Sequence, residues 1–76
     1  MNTENSLSSE KASDIANDVL RAELPQVPLD LVRVVSQDHG NFWRIFYLPP
    51  EGWTGGPIVI DVDKITRQGR LRAVYQ

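Results

Sequence analysis

The sequence contains no cysteine and only one histidine. Without cysteine there is no disulfide, no thiolate metal site and no cysteine nucleophile. A secreted domain of 76 residues would usually be stapled by disulfides, so their absence favours a reducing compartment. The first residues, MNTENSLSSEKAS, have neither a basic start nor an apolar run, which is not typical of a signal peptide. We therefore expect a cytoplasmic protein.

Long apolar runs are also missing. No segment approaches the roughly 18 apolar residues that indicate a membrane span, so we expect no membrane association. A chain of 76 residues forms one domain at most, and a domain this small buries only about 60% of the surface that its unfolded chain exposes. We expect residues 1–7 to form a flexible N-terminus and residues 8–76 to form a single domain, with little room for a deep pocket.

The net charge of −2 is unevenly distributed along the chain. Residues 1–38 carry seven acidic and three basic side chains (−4), whereas residues 39–76 carry five basic and three acidic ones (+2). An acidic half and a mildly basic half suit a charged protein partner better than nucleic acid. The segment KITRQGRLR contains four cations, but in an acidic chain it favours a solvated loop, and we expect no nucleic-acid partner.

The first patterned segment predicts an amphipathic helix. Ser8 is a suitable N-cap, and Leu7 before it can form a hydrophobic staple with the side chain four positions into the helix. Pro25 and Pro28 prevent the helix from continuing. Apolar side chains at helical spacing predict one buried stripe. They are Ala12, Ile15, Ala16, Val19 and Leu20.

Four later segments predict strands because they are rich in aromatic and β-branched residues. They are DLVRVVSQ (30–37), FWRIFYL (42–48), IVIDVD (58–63) and LRAVYQ (71–76). The connections between them are too short for helical crossovers, which predicts an antiparallel meander. The expected architecture is α+β, with one N-terminal helix packed on a three- to four-stranded antiparallel meander sheet.

Alternation along the strands predicts which side chains share a face. In the second strand, Trp43, Ile45 and Tyr47 share one side, while Phe42, Arg44, Phe46 and Leu48 share the other. One aromatic set then lies on the side that the helix leaves uncovered, unless the first strand and the long loop fold over it. In the fourth strand, alternation groups Leu71, Ala73 and Tyr75 opposite Arg72 and Val74.

The residues that could carry catalysis or bind a cofactor favour structural roles. His39 lies in a turn beside Asp38 without an evident nucleophile to serve, which favours a solvated side chain. Asp61 and Asp63 share a strand face, but a hard-cation site needs about six oxygens, and Arg72 on the next strand is the simpler partner. The segment GWTGGP lacks the lysine of a phosphate-binding loop and precedes a strand. We predict no catalytic, cofactor or metal site and no enzymatic activity.

An acidic line on the predicted helix is a candidate partner-binding surface. Glu10, Asp14 and Asp18 recur every four residues on the side opposite the apolar stripe. Like charges at this spacing cost about 0.2–0.5 kcal/mol per pair, and Arg21 relieves only the last. Such a line is expected of a surface that steers towards a basic protein, although an ordinary solvated face has the same pattern.

The loop at residues 49–57 is the second candidate. It is longer than a hairpin requires, and surplus length in a small domain is often functional. Trp53 lies among its glycines, where it either plugs the core or stands out as an anchor. Because Trp and Arg are enriched at binding hot spots, the predicted contact residues are Trp53 and then Arg44, with Glu51 of the same loop beside them.

Three segments together resemble a known family. ASDIANDVL, FWRIFYLPPEGWTGGPIVIDVDKIT and GRL are similar to the pattern of small bacterial immunity proteins of the nuclear-transport-factor-like, or cystatin-like, fold class. That pattern has a helix with an "A..IA" stripe, a strand with "W.V", a "P...GG" loop and an ending "DK.TG.V". The likeness covers about residues 12–71 and departs at Arg67 and Gln68, which interrupt the Thr-Gly turn.

The resemblance implies a non-enzymatic inhibitor that neutralises a bacterial toxin by direct binding, without cofactors. It also implies that Trp43 and Ile45 are structural and that the Gly-Gly loop belongs to the fold. PepSY-type domains share the helix-then-strands order and a "D..TG.V" ending, which implies the alternative of a regulatory or small-ligand or peptide-sensing domain. Either a monomer or a homodimer is expected, since the fourth strand leaves an edge that can be paired.

Overall fold

The computed structural model describes residues 7–52 and 55–74 and confirms the α+β fold. One helix, α1 (Ser9–Glu23), is followed by four strands. They are β1 (Arg33–Asp38), β2 (Phe42–Leu48), β3 (Ile58–Asp63) and β4 (Gly69–Val74). Each strand pairs antiparallel with the next, which gives an open sheet in the order β1-β2-β3-β4.

The helix begins at the predicted cap. The side-chain oxygen of Ser8 accepts a hydrogen bond from the backbone N–H of Lys11 at 3.2 Å, which satisfies one of the free donors of the first turn. Leu7, the last residue of the predicted flexible N-terminus, is instead buried in the same cluster as Ala12, and residues 1–6 lie outside the described residues. Among the described residues, no helix is long and apolar enough to cross a membrane.

The core lies between α1 and one face of the sheet. It contains Leu7, Ala12, Ala16, Leu20, Ile45, Tyr47, Ile58, Ile60 and Val62. Tyr47 is fully buried, and its hydroxyl donates a 2.6 Å hydrogen bond to the side-chain oxygen of Asn17 on the helix. Burial raises the pKa of this hydroxyl because the ionised form would lose its solvation. The face of β2 that begins with Trp43 is therefore the covered one.

Two of the predicted strands have different bounds. The first was predicted over 30–37 but begins at Arg33, because the chain before it turns, with the Leu31 N–H bonded to the Pro28 carbonyl at 3.0 Å. The fourth was predicted over 71–76 but spans Gly69–Val74. Its last two predicted residues lie outside the described residues.

The face assignment within β4 is wrong after its first half. The pairing of β3 with β4 shifts by one residue between Val59 and Ile60, so that Leu71 lies opposite Ile60 but Ala73 lies opposite Val59. This bulge moves Ala73 to the face opposite Leu71, although simple alternation grouped the two.

The turn between β3 and β4 closes in spite of its departure from the Thr-Gly pattern. The Asp63 carboxylate accepts from the backbone N–H groups of Ile65 and Thr66 at 2.8 and 2.9 Å. Arg67 has a positive φ of 60° and donates its N–H to the Asp63 carbonyl at 2.9 Å. Arginine thus occupies the left-handed conformation that a glycine adopts at lower cost.

Candidate partner-binding surfaces

The acidic line lies on the outer side of the helix, as its four-residue spacing predicted. Glu10, Asp14 and Asp18 are all exposed. Arg21 forms an ion pair with Asp18 at 3.2 Å, and both side chains are largely in solvent. Such an exposed pair contributes little to stability, typically about 0–1 kcal/mol.

Arg44 lies on the opposite side of the molecule. It alternates with Trp43 and Ile45, whose side chains face the helix, so its own side chain extends from the other face of the sheet. Its guanidinium lies 5.2 Å from the centre of the Phe42 ring. We call this second side of the sheet, which turns away from α1, the open face.

Asp61 has a closer ion-pair partner than the predicted one. Asp61 lies directly opposite Arg44 in the register and accepts two hydrogen bonds from it, at 2.9 and 3.2 Å. Arg72, the expected partner, also pairs with Asp61, at 4.0 Å. In the register, Arg70 rather than Arg72 lies directly opposite Asp61 on the β4 side. A two-point contact of this kind fixes the orientation of the guanidinium.

An apolar row crosses the open face from one edge to the other. Val35 lies opposite Phe46, Phe46 opposite Val59, and Val59 opposite Ala73. Val59 is only 2% exposed, whereas Val35 is 38% exposed and Phe46 is partly exposed. The apolar row is therefore accessible to solvent mainly at its β1 end.

Among the described residues, more arginines than acids lie on the open face. The register assigns Arg33, Arg44 and Arg70 to this face, and Arg72 reaches Asp61 there. The acids on the same face are Asp61 and Asp63. The two sides of the molecule thus carry opposite charge, acidic along the helix and basic on the open face.

The turns at one end of the sheet are held together by Lys64. Its ammonium group lies 2.6 Å from an Asp38 oxygen and 4.9 Å from the centre of the Trp43 ring. Its backbone N–H bonds to the Asn41 carbonyl at 3.0 Å. The indole N–H of Trp43 in turn donates to the Leu7 carbonyl at 2.7 Å. These contacts connect the helix start to both turns, which is a structural role.

His39 also makes contacts of a structural kind. Its ring stacks on Phe42, with the ring centres 4.9 Å apart and the planes 10° from parallel. One ring nitrogen, Nε2, lies 3.1 Å from the side-chain oxygen of Gln37. His39 is exposed, as predicted for a turn residue. The Phe42 ring thus lies close to both His39 and Arg44.

Two carboxylates at this end accept hydrogen bonds that favour their ionised form. The hydrogen bond from Lys64, and then the one from the Gly40 N–H, lowers the pKa of Asp38 below its usual value of 3.8. The backbone N–H groups of Thr66 and Ile65 likewise lower the pKa of Asp63. A carboxylate whose pKa is lowered by folding stabilises the fold above its unfolded pKa, and this contribution disappears as the pH falls towards the folded pKa.

We therefore expect the urea midpoint of unfolding to fall as the pH drops below 3.8. The variant Asp63→Asn keeps an oxygen that can accept the same backbone bonds but removes the titration. Its midpoint should depend less on pH over that interval than the midpoint of the unmodified protein. An identical dependence in the two proteins would contradict the assignment to Asp63.

A groove follows the outer edge of β4. Its lining includes Val19 and Glu23 from the helix side and Phe42 and Asp61 from the open face, so it bends around the edge of the sheet. A site enclosed between helix and sheet, which the ligand-sensing alternative requires, would be lined from the core side only. This groove therefore gives that alternative no support.

The predicted contact residues do not form one site. Arg44 lies on the open face, while the acidic line lies on the far side of the helix. Glu51 is exposed after the end of β2, and Trp53 lies outside the described residues. Sequence reasoning missed the apolar row, since only its Phe46 stood out from alternation and the other members depend on the strand register. Comparison of the chain with protein-family models, curated proteins and solved structures finds no match.

Proposed function

We propose that this protein acts by binding another protein, without catalysis, and that the open face of the sheet makes the contact. The observation that carries the proposal is the apolar row with Arg44 and Asp61 beside it. Partly exposed apolar side chains around an oriented arginine are the composition expected at the centre of a protein interface.

The orientation of Arg44 lowers the cost of binding. Its side chain is only 22% exposed and is fixed by Asp61 and by the Phe42 ring. Covering Arg44 with a partner therefore costs little further side-chain entropy, whereas an arginine that moves freely in solvent would lose its rotamer entropy on binding. The exposed acids of the helix have no comparable support, so they suit steering better than anchoring.

The charge of the open face indicates the chemistry of the partner. Four arginines against two acids favour a partner whose contact surface is apolar with an acidic rim. In the immunity-type form that the resemblance implies, this partner is a bacterial toxin that is neutralised when its working surface is covered. A basic toxin guided by Glu10, Asp14 and Asp18 is the second candidate, supported by the exposure of all three.

Two variants with the same chemical change distinguish the candidates. Arg70→Glu reverses a charge on the open face, and Arg21→Glu reverses one on the helix; both residues are exposed, so neither change disturbs the core. The tagged protein and each variant are used as bait in lysate of the native cell, at moderate salt, and stoichiometric partners are identified by mass spectrometry.

A partner that binds the unmodified protein and Arg21→Glu but is lost with Arg70→Glu would support the open face. A partner that tolerates Arg70→Glu but is bound more weakly at high salt, and more weakly by Asp14→Asn, which removes one charge of the acidic line, would favour the helix. A bait that retains no stoichiometric protein would contradict the binding function.

A further inference from the structure

The turn between β3 and β4 carries the most exposed large apolar side chain of the described residues. Ile65 is 86% exposed, against 57% for Leu31, the next in order. Single exposed apolar residues are common on protein surfaces and usually need no explanation. Ile65, however, lies in a tight turn, where glycine, asparagine, aspartate and serine are preferred over a β-branched residue. Neither the core nor the turn geometry therefore explains an isoleucine at this position.

A second residue of the same turn is also unfavourable for stability. Arg67 has a φ of 60°, a conformation that glycine adopts at lower cost. Its side chain is exposed and forms no ion pair or hydrogen bond with any described residue. Strained backbone of this kind persists where the surrounding structure fixes it, and it is concentrated at binding sites. Two such choices in one turn are typical of a segment retained for function.

Hydrogen bonds hold this turn in a single conformation. From Asp63 to Gln68, every backbone N–H donates to an acceptor. Lys64 also ties the turn to the neighbouring one, because its N–H bonds to the Asn41 carbonyl and its ammonium group contacts Asp38. The backbone at the tip thus has little conformational freedom left to lose when it binds.

We propose that this turn enters a concave apolar pocket on the partner protein, with Ile65 filling the pocket and Arg67 pairing with a carboxylate at its rim. The inference rests on the proposed function for the existence of a protein partner, and it adds which part of this chain the partner encloses. A rigid convex turn with an apolar tip is complementary in shape to such a pocket.

The charges of the turn indicate the acidic rim. Lys64 and Asp38 neutralise each other at 2.6 Å. The Asp63 carboxylate is occupied by the two backbone N–H groups that it accepts. Arg67 is thus the cation of this turn that is left to attract an opposite charge, and it lies two residues from Ile65. A carboxylate beside the pocket satisfies it.

A lipid surface suits the turn less well than a protein pocket. One apolar side chain gives only weak membrane binding, and the exposed acids of α1 would be repelled by anionic lipids. A fluid bilayer also gains nothing from a turn that is fixed in one conformation. A folded partner does gain, because the ordering of the turn is already complete before binding.

Two variants first separate binding from folding. The urea midpoint of Ile65→Ser should equal that of the unmodified protein, because the isoleucine already lies in water. The midpoint of Arg67→Gly should rise, because the strain at positive φ is removed. A lower midpoint for Ile65→Ser would overturn the proposal by showing that this side chain supports the fold, and so would the absence of a rise for Arg67→Gly.

The same variants should have the opposite order in binding. The partner that the unmodified protein retains from native lysate is identified and purified, and its Kd is measured by isothermal titration calorimetry. Ile65→Ser and Arg67→Gly should each weaken binding by about tenfold or more, while Ile65→Val should retain most of the affinity. Leu31→Ser is the matched control, since it changes an exposed apolar residue at the opposite end of the sheet. Its Kd should stay within about twofold of the unmodified value.

The outcomes distinguish this inference from the proposed function. A partner that binds Ile65→Ser as tightly as the unmodified protein, but is lost with Arg70→Glu, would overturn the inference and leave the open face as the contact. Equal weakening by Ile65→Ser and Leu31→Ser would also overturn it, because the effect would not be specific to the turn. An unmodified bait that retains no stoichiometric protein would overturn both.

Cross-linking tests the chemistry of the pocket directly. A photoreactive amino acid at position 65 should cross-link to an apolar segment of the partner with an aspartate or glutamate beside it. Cross-links to a polar segment without such an acid would overturn the proposal. Vesicles containing phosphatidylserine are the second probe: if they bind the unmodified protein but not Ile65→Ser, the turn contacts a lipid surface and the protein pocket is overturned.

Discussion

Replacing Gly69 with valine is expected to lower the free energy of unfolding by about 1–3 kcal/mol, as overpacking of a filled core does. A Cβ atom at this position would lie 2.7 Å from the Val19 Cγ2 atom and 3.3 Å from the Ile15 Cγ2 atom. The start of β4 therefore approaches α1 so closely that a side chain can be added only if the Val19 side chain or the helix shifts. Urea unfolding measures the difference.

Two comparisons separate this contact from the general effect of replacing glycine. Gly55→Val is the control, because a Cβ at Gly55 would meet no atom within 4 Å. The double variant Gly69→Val with Val19→Ala should be more stable than the sum of its two single changes implies, since the removed methyl groups make room. Equal losses of stability in Gly69→Val and Gly55→Val, or strictly additive effects in the double variant, would contradict the close contact between Gly69 and Val19.

The role of Gly69 shows where sequence reasoning ends. From its position, Gly69 reads as part of the turn before the last strand, and a glycine there needs no further explanation. What requires a glycine at this position is the short distance between helix and sheet, which no local pattern encodes. The bulge near Val59 is similar: alternation assumes an uninterrupted period of two, so it misplaced Ala73.

Features that depend on neighbouring residues were predictable. The Ser8 cap follows from local hydrogen bonding, and alternation separates the two faces of β2, although it left open which of them the helix covers. The order of the strands follows from the short connections. The resemblance that suggested an immunity-type protein rests on equally short pieces, and that role remains a proposal.

The candidate site was less predictable, because it depends on pairing between strands. Arg44 was selected for its residue type, but its fixed orientation comes from Asp61, which lies opposite it only in the observed register. The apolar row likewise takes one residue from each strand. Single-strand patterns identify which residues share a face, but they do not identify which of them are neighbours across it.

The second large effect is expected at Leu20. This side chain is fully buried, and it lies on the same stripe as Ala12 and Ala16, whose small side chains allow the helix to approach the sheet. Leu20→Ala should lower the free energy of unfolding by about 2–5 kcal/mol, through lost burial and the cavity left behind. In a domain of 76 residues, a loss of this size removes a large part of the total stability.

Leu31→Ala is the matched control, because the same atoms are removed from a side chain that is 57% exposed. Its loss should stay below about 1 kcal/mol, since most of the leucine already contacts water. Urea unfolding followed by circular dichroism compares the two variants at equal protein concentration, which keeps any dimerisation from shifting one curve alone. If Leu20→Ala costs no more than Leu31→Ala, α1 is not packed on the sheet through this stripe, and the uncovered side of β2 would have to be assigned again.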